Sequence, residues 1–283
     1  MSKKIITNKQ KIIQILIYTF RFLNSKQVQV FLNHKDHRRI NSWLKDLNDK
    51  QYLERDFKPV YGILTKPAVY FLSPKGRQYI RETYPLASKK YLGRLRDDKE
   101  RSKGFRIRWQ TITDCYLILF EDYVAEFPQT LEEWLTKGIK LKANEFHFFT
   151  PAFYASLDFV LLPLLKPDAY CYIKRKEGIT HTMLYVLDAY IPRMILNYSL
   201  KNIFTKLDEE SWEDETISSL QFYFVCPNNM IIVYLKRLLP SFLERYYGSN
   251  ELLFHFATRN QMYKQKDGSA ETIDWVTLSS KNY

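Results

Sequence analysis

Seven polar residues between positions 35 and 45 could recognise a nucleic acid by their types and spacing. Arginine can pair with guanine through two hydrogen bonds, asparagine can do the same with adenine, and lysine and serine suit phosphate oxygens. The seven residues are Lys35, His37, Arg38, Arg39, Asn41, Ser42 and Lys45. They are interleaved with Ile40, Trp43, Leu44 and Leu47, so the spacing predicts a helix over 35–48 with an apolar inner face and a polar outer face. A merely solvated outer face is the alternative interpretation.

The neighbouring segments predict the elements that would position this helix. Apolar residues at helical spacing predict a first helix over 7–22, and Ser25 could cap a short second helix. Two β-forming segments, 52–57 and 68–72, follow the third helix, and the connection between them contains Pro59, Gly62 and Pro67. Three helices and a hairpin predict a winged helix-turn-helix domain over 1–85. Arg55, Lys58 and Lys66 of the hairpin suit phosphate contacts.

The charge distribution favours a polyanionic partner. The chain carries a formal net charge of +12. Residues 1–112 hold 26 Lys and Arg against 9 Asp and Glu, whereas residues 113–283 hold 17 against 22. Because neutralised phosphates release condensed counterions, double-stranded DNA is the expected partner. The longest apolar stretch, 151–165, is short and interrupted by Asp158, so we expect no membrane partner and a cytoplasmic protein.

Residues 86–110 form a basic stretch with few large apolar side chains, which indicates an exposed linker. It could follow the DNA backbone or serve as a solvated connector. Its cations are Lys89, Lys90, Arg94, Arg96, Lys99, Arg101, Lys103, Arg106 and Arg108.

A second domain is predicted over 111–265, followed by a polar tail over 266–283. A helix near 113–127 precedes β-rich segments at 146–150, 152–160, 169–174 and 181–187. A helix over 193–207, a strand over 220–226, a helix over 229–247 and a strand over 252–258 follow. This alternation predicts an α/β sheet domain, so the whole chain is expected to be mixed α+β. Cys115, Cys171 and Cys226 lie too far apart in sequence for a zinc or redox motif, and no metal site is predicted from them.

The chain resembles the plasmid replication-relaxation family. The resemblance lies in Arg38-Arg39, in the segment AVYFLSPKG that ends at Gly76, in Pro167-Asp168, and in LYVLD, which ends at Asp188. It implies a winged helix joined to a domain similar to the restriction-endonuclease fold, and a role in replication or relaxation of mobile DNA.

The resemblance also indicates where a nuclease site would lie. Such a site needs an acid at the start of one strand and an acid-x-lysine pair on the next, so that two carboxylates hold Mg²⁺. Asp168 matches the first acid, but Val186 stands where the family pattern has Glu, and Asp188 stands where it has a second acid. Glu121 or Asp114 could supply a further carboxylate. We therefore expect a degenerate domain without a cofactor, with Mg²⁺ only if the nuclease interpretation holds.

The leading hypothesis is a non-enzymatic DNA-binding protein of a plasmid or other mobile element. It would act in replication, relaxation or transfer with replication or mobilisation proteins, or as a homodimer. Two rivals remain: an Mg²⁺-dependent nuclease or nicking enzyme, and a winged-helix transcription regulator.

Overall fold

The computed structural model describes residues 6–57, 67–142, 145–159, 161–176, 178–189, 191–209, 217–246, 252–266 and 275–279. Its contacts divide the chain into two units. The first comprises Met1–Lys140 with Pro151–Ser156, and the second comprises Leu141–Thr150 with Leu157–Tyr283. Helices and strands occur in both units, so the mixed α+β prediction is confirmed. No helix among the described residues combines the length and the apolar character that a membrane span requires.

The first unit begins with three helices and three short strands, close to the predicted segments. Their bounds are α1 (Asn8–Phe20), β1 (Leu23–Asn24), α2 (Ser25–Phe31), α3 (His37–Asp49), β2 (Leu53–Asp56) and β3 (Val69–Leu72). The strands form an antiparallel sheet in the order β1-β3-β2, with Tyr70 of β3 placed between Leu23 and Arg55. The β1 strand has only two residues, so an alternating pattern in the sequence could not predict it.

Side-chain caps explain where these helices begin. The Thr7 hydroxyl accepts from the Gln10 backbone N–H, and the Gln10 side chain accepts from Thr7 N in return, which completes a capping box for α1. Asn24 and Gln27 form the same box at α2. The predicted cap at Ser25 is therefore displaced by one residue, because Asn24 supplies the oxygen that the helix N-terminus needs.

Three of the remaining helices of the first unit begin in the segment 86–110, which was expected to be a linker. The remaining helices are α4 (Pro74–Thr83), α5 (Lys89–Arg94), a 3₁₀ helix (Leu95–Glu100), α6 (Lys103–Leu119), a 3₁₀ helix (Glu121–Tyr123) and α7 (Phe127–Lys137). The structure differs here from an exposed connector over 86–110, because Tyr91, Leu92, Leu95 and Trp109 are buried. The division between the units falls after Lys140 rather than at residue 110.

An aromatic cluster joins four helices of the first unit. Phe20 of α1, Phe31 of α2, Tyr116 of α6 and Phe127 of α7 are all buried, and the Tyr116 and Phe127 rings stack with centroids 4.3 Å apart. Phe31 stacks on Tyr116 at 5.6 Å. Burial of such rings is the main favourable contribution to folding, so α6 and α7 belong to the same core as the helices before them.

Gly76 marks a close approach between α4 and the chain that enters β2. A Cβ atom at this position would lie 2.0 Å from the Tyr52 carbonyl oxygen. The contact leaves no room for a side chain, which explains a glycine within the first turn of α4.

A short segment from later in the chain completes the first unit. Tyr18 of α1 donates through its hydroxyl to the Ala152 carbonyl at 3.4 Å, and Phe153 packs edge-on against Trp134 of α7 at 5.4 Å. Residues 152–160 were predicted as a β-rich segment. The prediction is wrong for the described part, which forms turns and a 3₁₀ helix (Tyr154–Ser156), because Ala152 and Phe153 pack into the helical core of the first unit.

The second unit is built on a six-stranded sheet in the order β4-β5-β6-β7-β8-β9. Its elements are β4 (Phe146–Phe149), α8 (Leu161–Leu165), β5 (Ala169–Arg175), β6 (Gly178–Val186), α9 (Arg193–Glu209), β7 (Ile217–Cys226), α10 (Asn229–Tyr246), β8 (Leu252–Thr258), α11 (Arg259–Lys266) and β9 (Val276–Ser279). The pairs β4-β5, β5-β6 and β8-β9 are antiparallel, whereas β6-β7 and β7-β8 are parallel. The tail was expected to be polar, but β9 pairs with β8 and buries Leu278.

Candidate nucleic-acid interface

Asp36 fixes the start of α3. Its carboxylate Oδ1 accepts from the backbone N–H groups of Arg38 at 2.8 Å and Arg39 at 3.4 Å. Both arginines therefore lie in the first turn of the helix. In helix-turn-helix proteins the N-terminal residues of the recognition helix are the ones that reach base edges.

The outer face of α3 is exposed along its length. Ile40, Leu44 and Leu47 are fully buried, and all seven residues singled out from the sequence between 35 and 45 are exposed. None of the cations among them forms an ion pair with a residue that the structure describes. This face can therefore accept phosphates or base edges without first breaking an internal ion pair.

Trp43 lies at the edge of this face instead of in the core where the pattern predicted it. The ring is half-buried, the Arg39 guanidinium lies 5.8 Å from its centroid, and His34 packs edge-on against it at 5.2 Å. A cation held over an aromatic face has fewer conformations to lose on binding. The sequence signal for this contact is the i, i+4 spacing of Arg39 and Trp43.

A chain of hydrogen bonds joins α2 to the exposed face of α3. The amide nitrogen Nδ2 of Asn41 lies 3.2 Å from His37 Nδ1, and His37 Nε2 lies 3.1 Å from Ser25 Oγ. Because the amide donates to Nδ1, the proton of the neutral ring lies on Nε2 and is donated to Ser25. The sequence gives no direct signal for the bond between Ser25 and His37, which depends on how α2 packs against α3.

The hairpin presents one of its three predicted cations within the described residues. Arg55 of β2 is exposed, and its guanidinium lies 5.9 Å from the Phe57 ring centroid. Lys58 and Lys66 lie outside the described residues. The two acids of β2 form ion pairs with cations of the expected linker. Glu54 pairs with Lys99 at 3.9 Å, and Asp56 pairs with Arg106.

Eight of the nine cations of 86–110 consequently fall into two groups, and the ninth, Arg108, is half-buried. Lys99, Arg101 and Arg106 form ion pairs within the first unit, and Arg106 is mostly buried against the hairpin. Five others are exposed: Lys89, Lys90, Arg94, Arg96 and Lys103. The structure leaves only the second group in a position typical of phosphate contacts.

The acids expected to be remnants of a nuclease site are divided between the units. Asp168 precedes β5, and its Oδ2 accepts from the Val186 backbone N–H at 2.8 Å. Val186 is fully buried and Asp188 follows β6, half-buried. Glu121 and Asp114 belong to the first unit.

Two of these acids contact other elements of their own unit, Asp168 at the end of a strand and Asp114 between two helices. The buried Asp114 carboxylate accepts from Gln27 Nε2 at 2.9 Å and so joins α6 to α2. No group of three or more His, Cys, Asp or Glu side chains in the described part of the chain is arranged to hold a metal ion.

Comparison with known proteins gives one match. A family model described as replication-relaxation matches residues 15–188, which run from α1 to the end of β6 and include α3 and the hairpin. Neither a search of curated proteins nor a search of solved structures found a match.

Proposed function

Because the chain belongs to the replication-relaxation family, we propose that it binds double-stranded DNA by inserting α3 into the major groove. The protein then acts in replication, relaxation or transfer of a plasmid or other mobile element, through site recognition and assembly rather than catalysis.

The observation that carries this proposal is the exposed basic face of α3. The order α1-β1-α2-α3-β2-β3 supports a winged-helix interpretation, in which the third helix enters the major groove and the hairpin contacts backbone or minor groove. The contact of Arg39 with the Trp43 ring and that of Asn41 with His37 orient two side chains of this face. A face that contacted only solvent would not need such contacts.

The residues of this face have separate roles in the proposed complex. Arg38 and Arg39, in the first turn, contact base edges, and Lys45 and Arg55 contact phosphates. Asn41 recognises adenine. Its amide donates one N–H to His37, so the second N–H can donate to adenine N7 and Oδ1 can accept from adenine N6.

The second unit is proposed to be a nuclease-like fold that has lost catalysis. The antiparallel strands β4-β5-β6 followed by the parallel crossover α9-β7 agree with the fold that the family implies. Val186 supports the loss of catalysis, because a metal-binding carboxylate at this fully buried position would have to enter the core. Incubating supercoiled DNA with the protein and Mg²⁺ tests this part. Nicking that Asp168→Ala abolishes would instead establish an enzyme.

Removing either first-turn arginine is expected to weaken DNA binding. Arg38→Ala or Arg39→Ala should each cost about 1 to 3 kcal/mol on the preferred site, which corresponds to a factor of about 5 to 150 in Kd. The preferred site is first selected from a pool of randomised duplexes, and Kd is then measured by fluorescence anisotropy at fixed salt concentration.

Arg81→Ala is the matched control, since Arg81 is an exposed arginine on α4, outside the proposed interface. It should leave Kd within about twofold, by the small effect of a distant surface charge. Equal losses of DNA affinity in all three variants would mean that the net charge of the protein, rather than particular side chains, determines Kd. No selectable site at all would contradict the proposed function.

Asn41 and His37 are expected to determine one base of the preferred site. Asn41→Ala should abolish the preference for adenine at one position of each selected half-site, at a cost of about 1 to 3 kcal/mol. His37→Ala should relax the same position partially, because Asn41 loses the partner that orients it, while His37→Gln should restore part of the preference. The measurement is the base composition of sites selected by each variant. Ser42→Ala is the control on the same face. An unchanged adenine preference in Asn41→Ala would remove Asn41 from the list of base contacts.

A further inference from the structure

The N-terminal halves of α9 and α10 carry an exposed apolar surface that DNA binding does not use. Met194, Ile195 and Tyr198 on α9 and Met230 and Val233 on α10 are between 49% and 79% exposed. They make up half of the exposed large apolar side chains in the part of the chain that the structure describes. Clustered exposure of this kind is typical of an interaction surface, whereas scattered apolar residues need no explanation.

Contacts between α9 and α10 place these side chains next to one another on the helix pair. The Tyr234 hydroxyl of α10 donates to Asn197 Oδ1 of α9 at 2.6 Å, and the Arg193 guanidinium lies 5.0 Å from the Tyr234 ring centroid. The opposite sides of both helices are buried through Leu196, Leu200 and Leu235. The five apolar side chains therefore lie on the outer side of a fixed helix pair.

The charged side chains on the N-terminal halves of α9 and α10 are all positive. Residues 193–207 and 229–243 contain no Asp or Glu, although residues 113–283 carry more acids than bases. The exposed cations beside the apolar side chains are Arg193, Lys201, Lys236 and Arg237. A partner that covers the surface must therefore bring negative charge around an apolar centre.

We propose that the α9-α10 surface binds an acidic amphipathic helix of a partner protein. Such a helix would bury its apolar stripe on Met194, Tyr198 and Met230 and place its acids beside the surrounding cations. Methionine suits this role, because its flexible thioether side chain adapts to the shape of the partner. A second copy of this chain would bring like charges together, and DNA would leave the five apolar side chains without apolar contacts.

The test is selection of a displayed library of random peptides of about 15 residues, roughly four helical turns, against the full-length protein. The enriched peptides should share acids and large apolar residues at i, i+3, i+4 and i+7. Tyr198→Ser combined with Met230→Ser should weaken the binding of the strongest peptide about tenfold or more. Lys236→Glu with Arg237→Glu should weaken it as well and reduce its dependence on salt.

Two matched variants in the first unit control for general effects. Tyr123→Ser with Leu86→Ser removes two exposed apolar side chains, and Lys89→Glu with Lys90→Glu reverses two exposed charges. Neither should change peptide binding. The proposal is overturned by an absence of enriched peptides, by enriched peptides without acids, or by equal binding to the Tyr198→Ser/Met230→Ser variant. It is also overturned if that variant loses self-association in sedimentation, or loses binding to anionic vesicles, because the occupant would then be a second copy or a membrane.

Discussion

Asp98→Ala is expected to lower the free energy of unfolding by about 3 to 5 kcal/mol, because it leaves a buried arginine without its partner. Arg21, directly after α1, pairs with Asp98 at 2.5 Å, and the two side chains are 7% and 1% exposed. The Arg21 guanidinium also donates to the Arg94 carbonyl at 2.9 Å and lies 4.8 Å from the Phe105 ring centroid. The pair thus joins α1 to the segment that leads into α6, and chemical denaturation followed by circular dichroism measures the loss.

Asp97→Ala is the matched control, because the neighbouring carboxylate is mostly exposed and pairs with Arg101 at 3.7 Å. It should change the free energy of unfolding by less than about 1 kcal/mol. Replacing both buried partners, Arg21→Met with Asp98→Leu, should recover much of the loss, since no isolated charge remains in the core. Equal effects of Asp97→Ala and Asp98→Ala would show that the Arg21–Asp98 pair is not buried as described.

Lowering the pH from 7.5 to 4.5 is expected to destabilise the second unit through His181. This side chain is buried beneath Phe159, its Nδ1 is hydrogen-bonded to the Tyr170 hydroxyl at 2.6 Å, and its pKa is lowered to about 4 by burial. Above pH 6.5 the histidine is neutral in both the folded and the unfolded chain, so its contribution is constant. As the pH falls from 6.5 towards 4, the unfolded chain binds a proton that the folded chain excludes, and stability falls by up to about 3 kcal/mol.

His181→Asn should reduce this pH dependence while keeping an acceptor for Tyr170. Urea midpoints measured between pH 4.5 and 7.5 give the slope for each variant. Some slope should remain, because burial also lowers the pKa of His147 and of His255. His34→Asn, in the first unit, should keep the slope of the unmodified protein. An identical slope in His181→Asn would contradict the proposed origin of the acid sensitivity.

Local patterns were sufficient to predict the elements around α3. Ile40, Leu44 and Leu47 define one buried helix face, and the β-forming residues of Val69–Leu72 define a strand. The sequence could not join His37 to Ser25, because this contact depends on the packing of α2 against α3, and its apolar pattern placed Trp43 in the core rather than at the edge of the exposed face. The exposed cations could be predicted from the pattern, but the structure was needed to show that they form no ion pair with the residues it describes.

The expected linker shows where reasoning from charge fails. Arg101 and Arg106 look like solvated cations in the sequence, yet they pair with Asp97 and Asp56 from nearby or distant segments. The large apolar residues on either side of these arginines, Leu95 and Trp109, are buried in the core. Charge density therefore obscured an amphipathic pattern that begins α6 at Lys103 rather than near residue 113.

The order of elements in the second unit was predicted from the sequence, whereas the role of its acids stays a prediction. The predicted strand over 252–258 and the helix from 193 agree with β8 and α9. Whether Asp168 faces a metal pocket or a backbone N–H depends on the register of β5 against β6, which periodicity alone does not determine.

The segment Pro151–Ser156 has a consequence for synthesis of the chain on the ribosome. It supplies Phe153 and the Ala152 carbonyl to the first unit, but β4 of the second unit is translated before it. At about 5 to 20 residues per second, the ribosome needs roughly 1 to 3 seconds to pass from residue 141 to residue 156. During this interval Tyr18 and Trp134 lack the contacts that Ala152 and Phe153 later provide. We therefore expect proteases to cleave the nascent first unit, and chaperones to bind it, most readily after α7 has emerged from the ribosome and before residue 156 has emerged.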